Sequence, residues 1–407
     1  MTESLQTLDY MLIAMTVGIM LILSLPSLRK NRLWRITITP LASIIGSGFL
    51  VIAPLLRNIA GPQALLAMIA IAWLAWWIGG VIRYNIRYAV PQPATARKNL
   101  DDSLLRGAEK LSAWTLSVAY VISVVFYITL LAAYVLDMTG LKTESNVRWL
   151  ATAVLVLIGT VGLTRGLKGL EGMETLTVAL KLAVITALSA ALFWHDLHHP
   201  YQLSQADPDL SLADKLRLLA GTLLVIQGFE TVRYMGDEYS ADERIRGMKL
   251  AQIISGGIYL LFIALVMPLL INLPSGQVSE TALIHISRDI AWSMPTILVI
   301  GAVMAQFSAA VADTAGAGGL MREETGGRLS VRLAYAIITV LAIGLAWTTN
   351  IFEIIAFASR AFAAYYFLQS LIAMYIALQR GQTARSLGFA LIALMLLGIT
   401  LFAKPVG

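Results

Sequence analysis

Two glycines lie in the middle of a long apolar run, in the stretch Ile44-Ile45-Gly46-Ser47-Gly48-Phe49. A second run of the same kind contains Gln227-Gly228-Phe229-Glu230, where a glycine is followed closely by an acid. One glycine in an apolar helix is weak evidence, because small residues also let helices pack closely. The pair of stretches is stronger, and it predicts two interrupted helices with unpaired peptide groups at each break.

The composition around these breaks is typical of a membrane protein. Hydrophobic residues make up 58% of the 407 positions and charged residues 13%, which is about half the charged fraction of a soluble domain. Apolar stretches of about 20 residues, the length that crosses a hydrocarbon core, recur along the whole chain. The sequence predicts an all-α integral membrane protein of about 12 transmembrane helices. Their approximate ranges are 8–28, 36–57, 62–88, 112–138, 147–164, 171–194, 213–240, 246–273, 293–321, 331–349, 351–379 and 385–403.

The basic residues separate when the connections are assigned alternately to the two sides of the membrane. Of the 30 lysines and arginines, 21 fall on one side and seven on the other. Because basic loops stay in the cytoplasm, both termini are predicted to lie outside, with a bacterial inner (cytoplasmic) membrane as the expected location. The net charge of +6 does not indicate a nucleic-acid partner, since the basic residues lie between apolar spans. The first segment follows Glu3 and Asp9 and is long, which predicts a retained helix.

The two interrupted spans occupy matching positions in two halves of the chain. Counted after the first span, they are core helices one and six, and each opens a set of five. An odd set inverts the next set in the membrane, so the breaks are predicted to meet near the midplane. The predicted units are an extra N-terminal helix and linker (1–35), a first inverted repeat (36–194), a second inverted repeat (213–379) and a C-terminal helix (380–407).

The residues at the breaks also resemble a known family. Ile45-Gly46-Ser47-Gly48-Phe49, followed by Ala60-Gly61-Pro62, resembles the first two helices of the amino acid, polyamine and organocation (APC) permeases. Gly228-Phe229-Glu230, followed by Asp237-Glu238, Arg244 and Lys249, resembles their sixth helix and the loop after it. Gly166 to Lys181 is similar to their fourth-to-fifth connection, so the resemblance covers most of residues 36–379. The preliminary helix is more typical of sodium–solute symporters, and Asp313-Thr314 is similar to either group.

This resemblance implies a LeuT-type fold in which the two breaks surround the substrate. The carboxylate of an amino-acid-like substrate would meet the amides of Ser47 and Gly48, and its amino group would meet carbonyls near Ile45 and Gln227. Phe229 would then close over the substrate as a gate. The implied substrate-binding residues are Ile45, Gly46, Ser47, Gly48, Gln227, Gly228, Phe229 and Glu230.

Four ionisable residues inside the spans should point into the bundle, because a charge in mid-membrane costs roughly 2.5–3.5 kcal/mol. They are Lys181, Glu230, Asp313 and Arg360. By the resemblance, Lys181 stands where sodium-independent permeases carry a lysine whose ammonium replaces the second sodium ion. The ion would otherwise be held by carbonyls of Ala42 and Ile45 and by Asp313 or Thr314.

From this placement we predict a Lys181–Asp313 contact that loads and releases a proton, with a static ion pair as the alternative. Glu230 is the second candidate for proton coupling, and its alternative role is to accept hydrogen bonds from freed backbone amides. Arg360 is expected to pair with Glu230 or Glu353, with recognition of an anionic substrate as the alternative. Tyr127, Tyr365 and Tyr366 either line the pocket or serve in packing.

Two connections are expected on the outer side. The segment 195–212 contains His195, His198 and His199, and we expect a solvated loop there and no metal site. In segment 275–291, apolar residues among polar ones predict a short amphipathic helix, either a lid or a plain surface helix. Those apolar residues are Val278, Leu283, Ile286 and Ile290.

The predicted function is secondary active transport of an amino acid or related small amine by alternating access, without sodium and with H⁺ as a candidate coupling ion. The alternative is a Na⁺-coupled symporter of the same fold, and a non-transporting membrane sensor is more remote. Neither a cofactor nor a metal is expected, since no paired histidines, carboxylate cluster or serine–lysine pair lies at depth, which also argues against an enzyme. The expected partners are the small-molecule substrate and membrane lipids; the oligomeric state stays open.

Overall fold

The computed structural model describes residues 2–46, 48–89, 102–166, 174–202, 210–236, 238–272 and 279–405. These segments are helical and contain no β-strand, so the predicted all-α class is confirmed. Ser47, Asp237 and Val278 lie outside the described residues, as do residues 167–173 of the Gly166 to Lys181 connection. The α-helices in the first half of the chain are α1 (Thr2–Leu23), α2 (Pro26–Lys30), α3 (Arg32–Ile44), α4 (Gly48–Ala60), α5 (Ala64–Tyr88), α6 (Asp102–Thr139), α7 (Glu144–Arg165) and α8 (Glu174–His198). Those that follow are α9 (Leu212–Ala220), α10 (Ala241–Val266), α11 (Ala282–Ser287), α12 (Met294–Glu324), α13 (Val331–Thr348), α14 (Ile351–Gln379) and α15 (Thr383–Phe402).

Nine helical segments of the described chain are long and apolar enough to cross a membrane. The chain is therefore an integral membrane protein, although the sequence predicted about 12 spans. The difference comes from three predicted spans. The first is represented by the shorter apolar helix Asp9–Leu23. The other two contain the glycine breaks, where no single helix reaches the required length.

Local sequence explains where several helices begin and end. Ser240 and Glu243 form a reciprocal capping box at the start of α10, and Asn350 and Glu353 form another at the start of α14. Each satisfies amides that the first helical turn leaves unpaired. Gly166 ends α7 with φ of +78°, a conformation that glycine adopts without strain.

The long helix α6 lies at the centre of the bundle. In its most apolar window 83% of the residues are buried, against 22% in α15, which is therefore peripheral. α6 packs on α12 and α14, α5 packs on α10, and α7 packs on α13. When the predicted core helices are counted, with the short α11 left out, each of these pairs except α6–α14 joins a core helix of the first half to the one five places later.

The N-terminal helix α1 contacts two parts of the core. It packs along α8, and Leu12 and Thr16 are buried. Near its start, the Asp9 carboxylate accepts hydrogen bonds from the Ser293 amide at 2.9 Å and the Ser293 hydroxyl at 2.6 Å. Ser293 precedes α12, so α1 connects α8 with the beginning of α12.

Both connections that the sequence places on the outer side differ from the prediction in detail. His195 and His198 belong to the last turn of α8, so the expected loop begins later than residue 195. His195 also has an acidic neighbour, Asp196, at 3.4 Å. Within the described chain no group of three or more potential ligands forms a metal site. The second connection contains the six-residue α11, whose Leu283 and Ile286 are buried.

Candidate functional site

The first break lies between α3 and α4. α3 ends at Ile44 and α4 begins at Gly48, so Ile45 and Gly46 lie between the two helices; Ser47, a predicted substrate residue, lies outside the described chain. The carbonyls near the end of α3 are bound by side chains of other helices. The Lys181 ammonium donates to the Ala42 oxygen at 2.8 Å, and the Tyr259 hydroxyl donates to the Ile44 oxygen at 2.9 Å.

The second break is more extensive than the sequence predicted. The expected span 213–240 has α-helix only in α9, which ends at Ala220. It is followed by two 3₁₀ turns, Leu223–Ile226 and Phe229–Tyr234, with Gln227 and Gly228 between them. Gly228 has φ of +117°, which strongly favours glycine at this position.

The two breaks lie directly against each other. A Cβ atom on Gly228 would lie 2.3 Å from the Ser43 hydroxyl oxygen and 2.9 Å from the Ile44 nitrogen. A Cβ on Gly48 would lie 2.8 Å from Cα of Val225. Both glycines therefore permit an approach of backbone to backbone that any larger residue would prevent.

The hydroxyl group of Tyr259, on α10, contacts both breaks. This buried hydroxyl lies 2.9 Å from the Ile44 oxygen and 2.8 Å from the Val225 oxygen. Each of these carbonyls has lost its helical partner, and a buried carbonyl without a partner is costly. Tyr259 could not be identified from the sequence, because a tyrosine inside an apolar helix has no local signal that separates binding from packing.

Glu230 satisfies part of the second break with its own side chain. Its carboxylate is fully buried and accepts a hydrogen bond from the Gly228 amide at 2.9 Å and another from the Tyr366 hydroxyl at 2.6 Å. The first contact is the backbone role that the sequence offered as the alternative to proton coupling. The second oxygen, Oε1, has no hydrogen-bond partner among the described residues. Phe229 stacks on the Tyr366 ring, with centroids 5.3 Å apart.

Tyr127 lies between the breaks on the side of α6. The Gln227 amide donates to the Tyr127 hydroxyl at 3.3 Å, and a Cβ on Gly46 would lie 3.7 Å from the Tyr127 ring. Tyr365 contacts the second break differently, through its hydroxyl 3.3 Å from that of Tyr234. All three tyrosines that the sequence left open are buried and contact this region.

A cavity of about 610 Å³ runs from the breaks to one surface of the bundle. Its inner end is lined by Ala42, Lys181 and Asp313. Its outer end is lined by Gly236 and Glu323, which are exposed. The lining along its length also includes Thr39, Ser43, Tyr120, Thr231, Arg233 and Arg244.

The predicted substrate residues in the described chain do not line this cavity but lie deeper in the bundle, next to its inner end. Ile45 and Gly46 line a small adjoining space of about 30 Å³, to which Lys181 also contributes. Gly48, Gln227 and Phe229 are buried in the contact between the breaks. Space for a solute therefore lies beside the breaks, on the side of Ala42 and Thr231.

Three of the predicted coupling residues, Ala42, Lys181 and Asp313, line the inner end of the cavity, whereas Thr314 and Glu230 do not line it. Asp313 is 4% exposed, and its Oδ2 has no hydrogen-bond partner in the described chain. The Thr314 hydroxyl donates within its own helix, to the Ala310 oxygen at 2.7 Å. Lys181 and Asp313 line the same cavity, whereas the specific contact between them stays a prediction.

Arg360 does not make the predicted ion pair. Its guanidinium donates to the carbonyl oxygens of Thr400 at 2.8 Å and Leu401 at 3.3 Å. These are among the last carbonyls of α15, which have no helical donor. Glu353 instead caps α14. The prediction was wrong because a helix end that is distant in sequence supplies the neutralising dipole.

The end of the bundle opposite the cavity mouth is held closed by a polar cluster. Lys142 lies 2.9 Å from Glu280, and His285 lies 3.0 Å from Asp137. Thr281 also donates to Asp137, at 3.1 Å. Asp137 is near the end of α6, whereas Glu109, near its start, pairs with Arg233 at the mouth of the cavity.

The chain matches the family described as APC superfamily transporter over residues 26–403. A relative from Aquifex aeolicus (strain VF5) is 41% identical over 399 residues, which cover 98% of this chain and 97% of the relative. That relative is described only as an uncharacterized protein. The family match includes both breaks, the cavity and every predicted site residue, and the chain therefore belongs to the APC superfamily of transporters.

Proposed function

We propose that this protein is a secondary transporter that carries a small solute by alternating access through the junction of its two breaks. The observation that carries the proposal is the contact between two interrupted helices beside a cavity that leads to one surface. Its volume of about 610 Å³ is within the range of small-molecule sites. The opposite end is closed by the cluster around Asp137, as alternating access requires of a state open on one side.

We propose a LeuT-type arrangement of two inverted repeats, residues 36–194 and 213–379, flanked by units 1–35 and 380–407. The packing supports it, because α5, α6 and α7 contact α10, α12 and α13 respectively. The first break likewise contacts the second. Pairing of equivalent helices is the pattern that a two-fold relation between the halves produces.

We propose that the cavity opens to the cytoplasm. Its mouth carries Arg233 and Arg244, on the side where the alternating connections place most basic residues. The same assignment puts both termini outside a bacterial inner membrane. In this orientation the conformation is inward-open.

The proposed substrate is an amino acid or related small amine. The amides of Ser47 and Gly48 would bind its carboxylate, and carbonyls near Ile45 and Gln227 would bind its amino group. The solute would enter this position from the cavity when the breaks separate by a small distance, with Phe229 closing over it. Glu230 Oε1 and Gln227 Oε1, both buried acceptors without a partner in the described chain, support binding of a cationic amino group nearby.

Sodium-independent transport is supported by the position of Lys181. Its ammonium lies 2.8 Å from the Ala42 oxygen, one of the carbonyls that the resemblance assigns to a sodium ion. A fixed positive charge at this point would replace the ion and repel it. Proton movement would then involve Lys181 with Asp313, or Glu230.

Sodium coupling is the second candidate, because Asp313 lines the cavity and its Oδ2 is a buried acceptor without a hydrogen-bond partner among the described residues. Purified protein in liposomes separates the two candidates. First, thermal stabilisation against a panel of amino acids, amines and ions selects a ligand, since a ligand stabilises the state that it binds. Uptake of that ligand is then measured with a sodium gradient or with a proton gradient alone.

We expect uptake without sodium. A strict sodium requirement would select the second candidate. A ligand that binds but is never accumulated or exchanged under either gradient would reject transport and favour the non-transporting sensor.

A further inference from the structure

A second large space lies on the outside of the bundle, between α5, α10 and α15. It is a groove of about 730 Å³, separate from the transport cavity, with which it shares no lining residue. We call it the basic groove. It is lined by Trp73, Trp76, Trp77, Gly80, Arg83, Tyr84, Arg87, Tyr88, Ile245, Lys249, Ala384, Arg385, Gly388, Phe389 and Ile392.

One end of the basic groove is strongly positive. Arg83, Arg87, Lys249 and Arg385 line it, and Arg380 lies beside it, 4.2 Å above the ring of Tyr88. Arg87 pairs with Asp242. Within the described chain, no carboxylate lies within ion-pair distance of the other four cations. The groove therefore has an excess of positive charge that the described residues do not neutralise.

Arg83 is the most informative of these cations, because it is only 9% exposed. Its guanidinium donates to the Gln252 side chain and to the Trp76 carbonyl at 3.2 Å, and it lies 4.5 Å above the Trp76 ring. All of these partners are neutral. A buried charge at membrane depth normally has a counter-charge, so Arg83 indicates that an anion from outside the chain supplies it.

The other end of the basic groove is apolar and faces lipid. Trp73 is 60% exposed and Trp77 is 45% exposed, and both line the groove together with Arg83. Phe389 and Ile392 continue the apolar surface on α15. The groove thus changes along its length from basic to aromatic and aliphatic. A phospholipid has the same order, with an anionic phosphate followed by acyl chains.

We propose that the basic groove is a binding site for an anionic phospholipid. Its phosphate lies between Arg83, Lys249 and Arg385, and an acyl chain extends past Trp77 and Ile392. Basic pockets between helices on the cytoplasmic side bind such headgroups for electrostatic reasons. A soluble phosphate would satisfy the cations but would leave the aromatic end uncovered, which favours a lipid as the occupant.

The site is connected to the transport junction through α10. Gln252, which holds Arg83, lies two helical turns from Tyr259 on the same helix, and Tyr259 binds both breaks. Gln252 and Tyr259 also line one small cavity, of about 160 Å³. A bound lipid would therefore fix the part of α10 that holds the junction.

Native mass spectrometry of the full-length detergent-purified protein tests the proposal, with phosphatidylglycerol, phosphatidylcholine and inorganic phosphate as probes. The variant is Lys249→Gln with Arg385→Gln, which leaves buried Arg83 in place. The matched control is Arg328→Gln with Arg332→Gln, two exposed cations outside the groove. Thermal midpoints and size-exclusion profiles confirm that each protein is folded.

We expect the wild type and the control to retain phosphatidylglycerol in preference to phosphatidylcholine. The groove variant should bind phosphatidylglycerol about thirtyfold more weakly, since each basic residue near an anionic lipid contributes a factor of about five. Equal loss in groove variant and control, or no loss in either, would overturn the proposal. Inorganic phosphate at millimolar concentration that displaces the lipid would also overturn it, because the apolar end would then contribute nothing.

Discussion

The two breaks solve the same problem of unpaired backbone in different ways. The first lies between α3 and α4, each of 13 residues, and its free carbonyls are bound by Lys181 and Tyr259 from other helices. The second follows a nine-residue helix and continues as two 3₁₀ turns. Tyr259 also contacts its Val225 carbonyl, but its Gly228 amide is bound by its own Glu230 carboxylate and its turn needs a glycine with positive φ.

This difference indicates which break is the firmer part of the junction. 3₁₀ geometry gives poorer hydrogen bonds than α-helix, and single-residue dependence makes a segment sensitive to substitution. The carbonyls of the first break are bound by side chains of other helices, so we expect its conformation to change less. We expect the second break to be the part that changes most easily, and the following four experiments test that ranking from the largest expected effect to the smallest.

Gly228→Ala should have the largest effect. A side chain there is strained at φ of +117° and would lie 2.3 Å from the Ser43 hydroxyl oxygen. Strain and overpacking together should lower the free energy of unfolding by about 3–5 kcal/mol. The measurement is the thermal midpoint in detergent, with Gly344→Ala as the control, since no atom lies within 4 Å of a Cβ at Gly344. An unchanged midpoint for Gly228→Ala would mean that the two breaks do not touch.

Gly48→Ala should have a smaller effect of about 1–3 kcal/mol, because it adds a clash with Val225. The clash includes Cα of Val225 at 2.8 Å and its Cγ1 at 2.8 Å. Combining it with Val225→Ala should therefore recover part of the loss and not all of it. The double-mutant cycle is measured by thermal unfolding and ligand uptake. Strictly additive losses would place the two residues apart.

Tyr259→Phe should lower stability by about 1–2 kcal/mol, because it removes the donor for two buried carbonyls. Tyr201→Phe is the matched control: its hydroxyl also donates to one carbonyl, Ala264 at 2.9 Å, but the residue is 55% exposed. The control should lose less than Tyr259→Phe in the same thermal assay. Equal losses would show that the two carbonyls find other partners when the hydroxyl is removed.

The smallest change in stability is expected for Glu230→Gln, because the amide oxygen of glutamine can still accept the hydrogen bond from the Gly228 amide. The main effect of this variant and of Lys181→Ala should be on the coupling. If Lys181 carries the proton, its alanine variant should lose the pH dependence of uptake, while Glu230→Gln retains it. The opposite result assigns the proton to Glu230. The assay is initial uptake into liposomes over a range of external pH. Retention of both uptake and its pH dependence in both variants would remove proton coupling at this junction.

The sequence predicted the breaks because their cause is local. Glycines at 46, 48 and 228 weaken a helix wherever they occur, and Glu230 would not face lipid. The contact of Gly228 with Ser43 could not be predicted, since it depends on the relative position of two helices about 180 residues apart. The α-helix also ends earlier than expected, at Ala220, although the next residues are apolar. Apolar composition places a segment in the membrane but does not distinguish α-helix from 3₁₀ turns.

The partner of Arg360 illustrates the same limit for charges. A search for an acidic residue is reasonable in a sequence, but helix ends also neutralise a guanidinium, and their positions appear only in the fold. Tyr259 was missed for a related reason, because its role depends on carbonyls contributed by two other segments.

The position of α1 has a mechanical consequence for the transport cycle. It packs on α8, which carries Lys181, and is bound through Asp9 to the start of α12, which carries Asp313. An N-terminal helix placed in this way connects the two helices that carry the proposed coupling residues. When those helices move relative to each other, α1 must either travel with them or release Ser293, so it limits how far this site can widen.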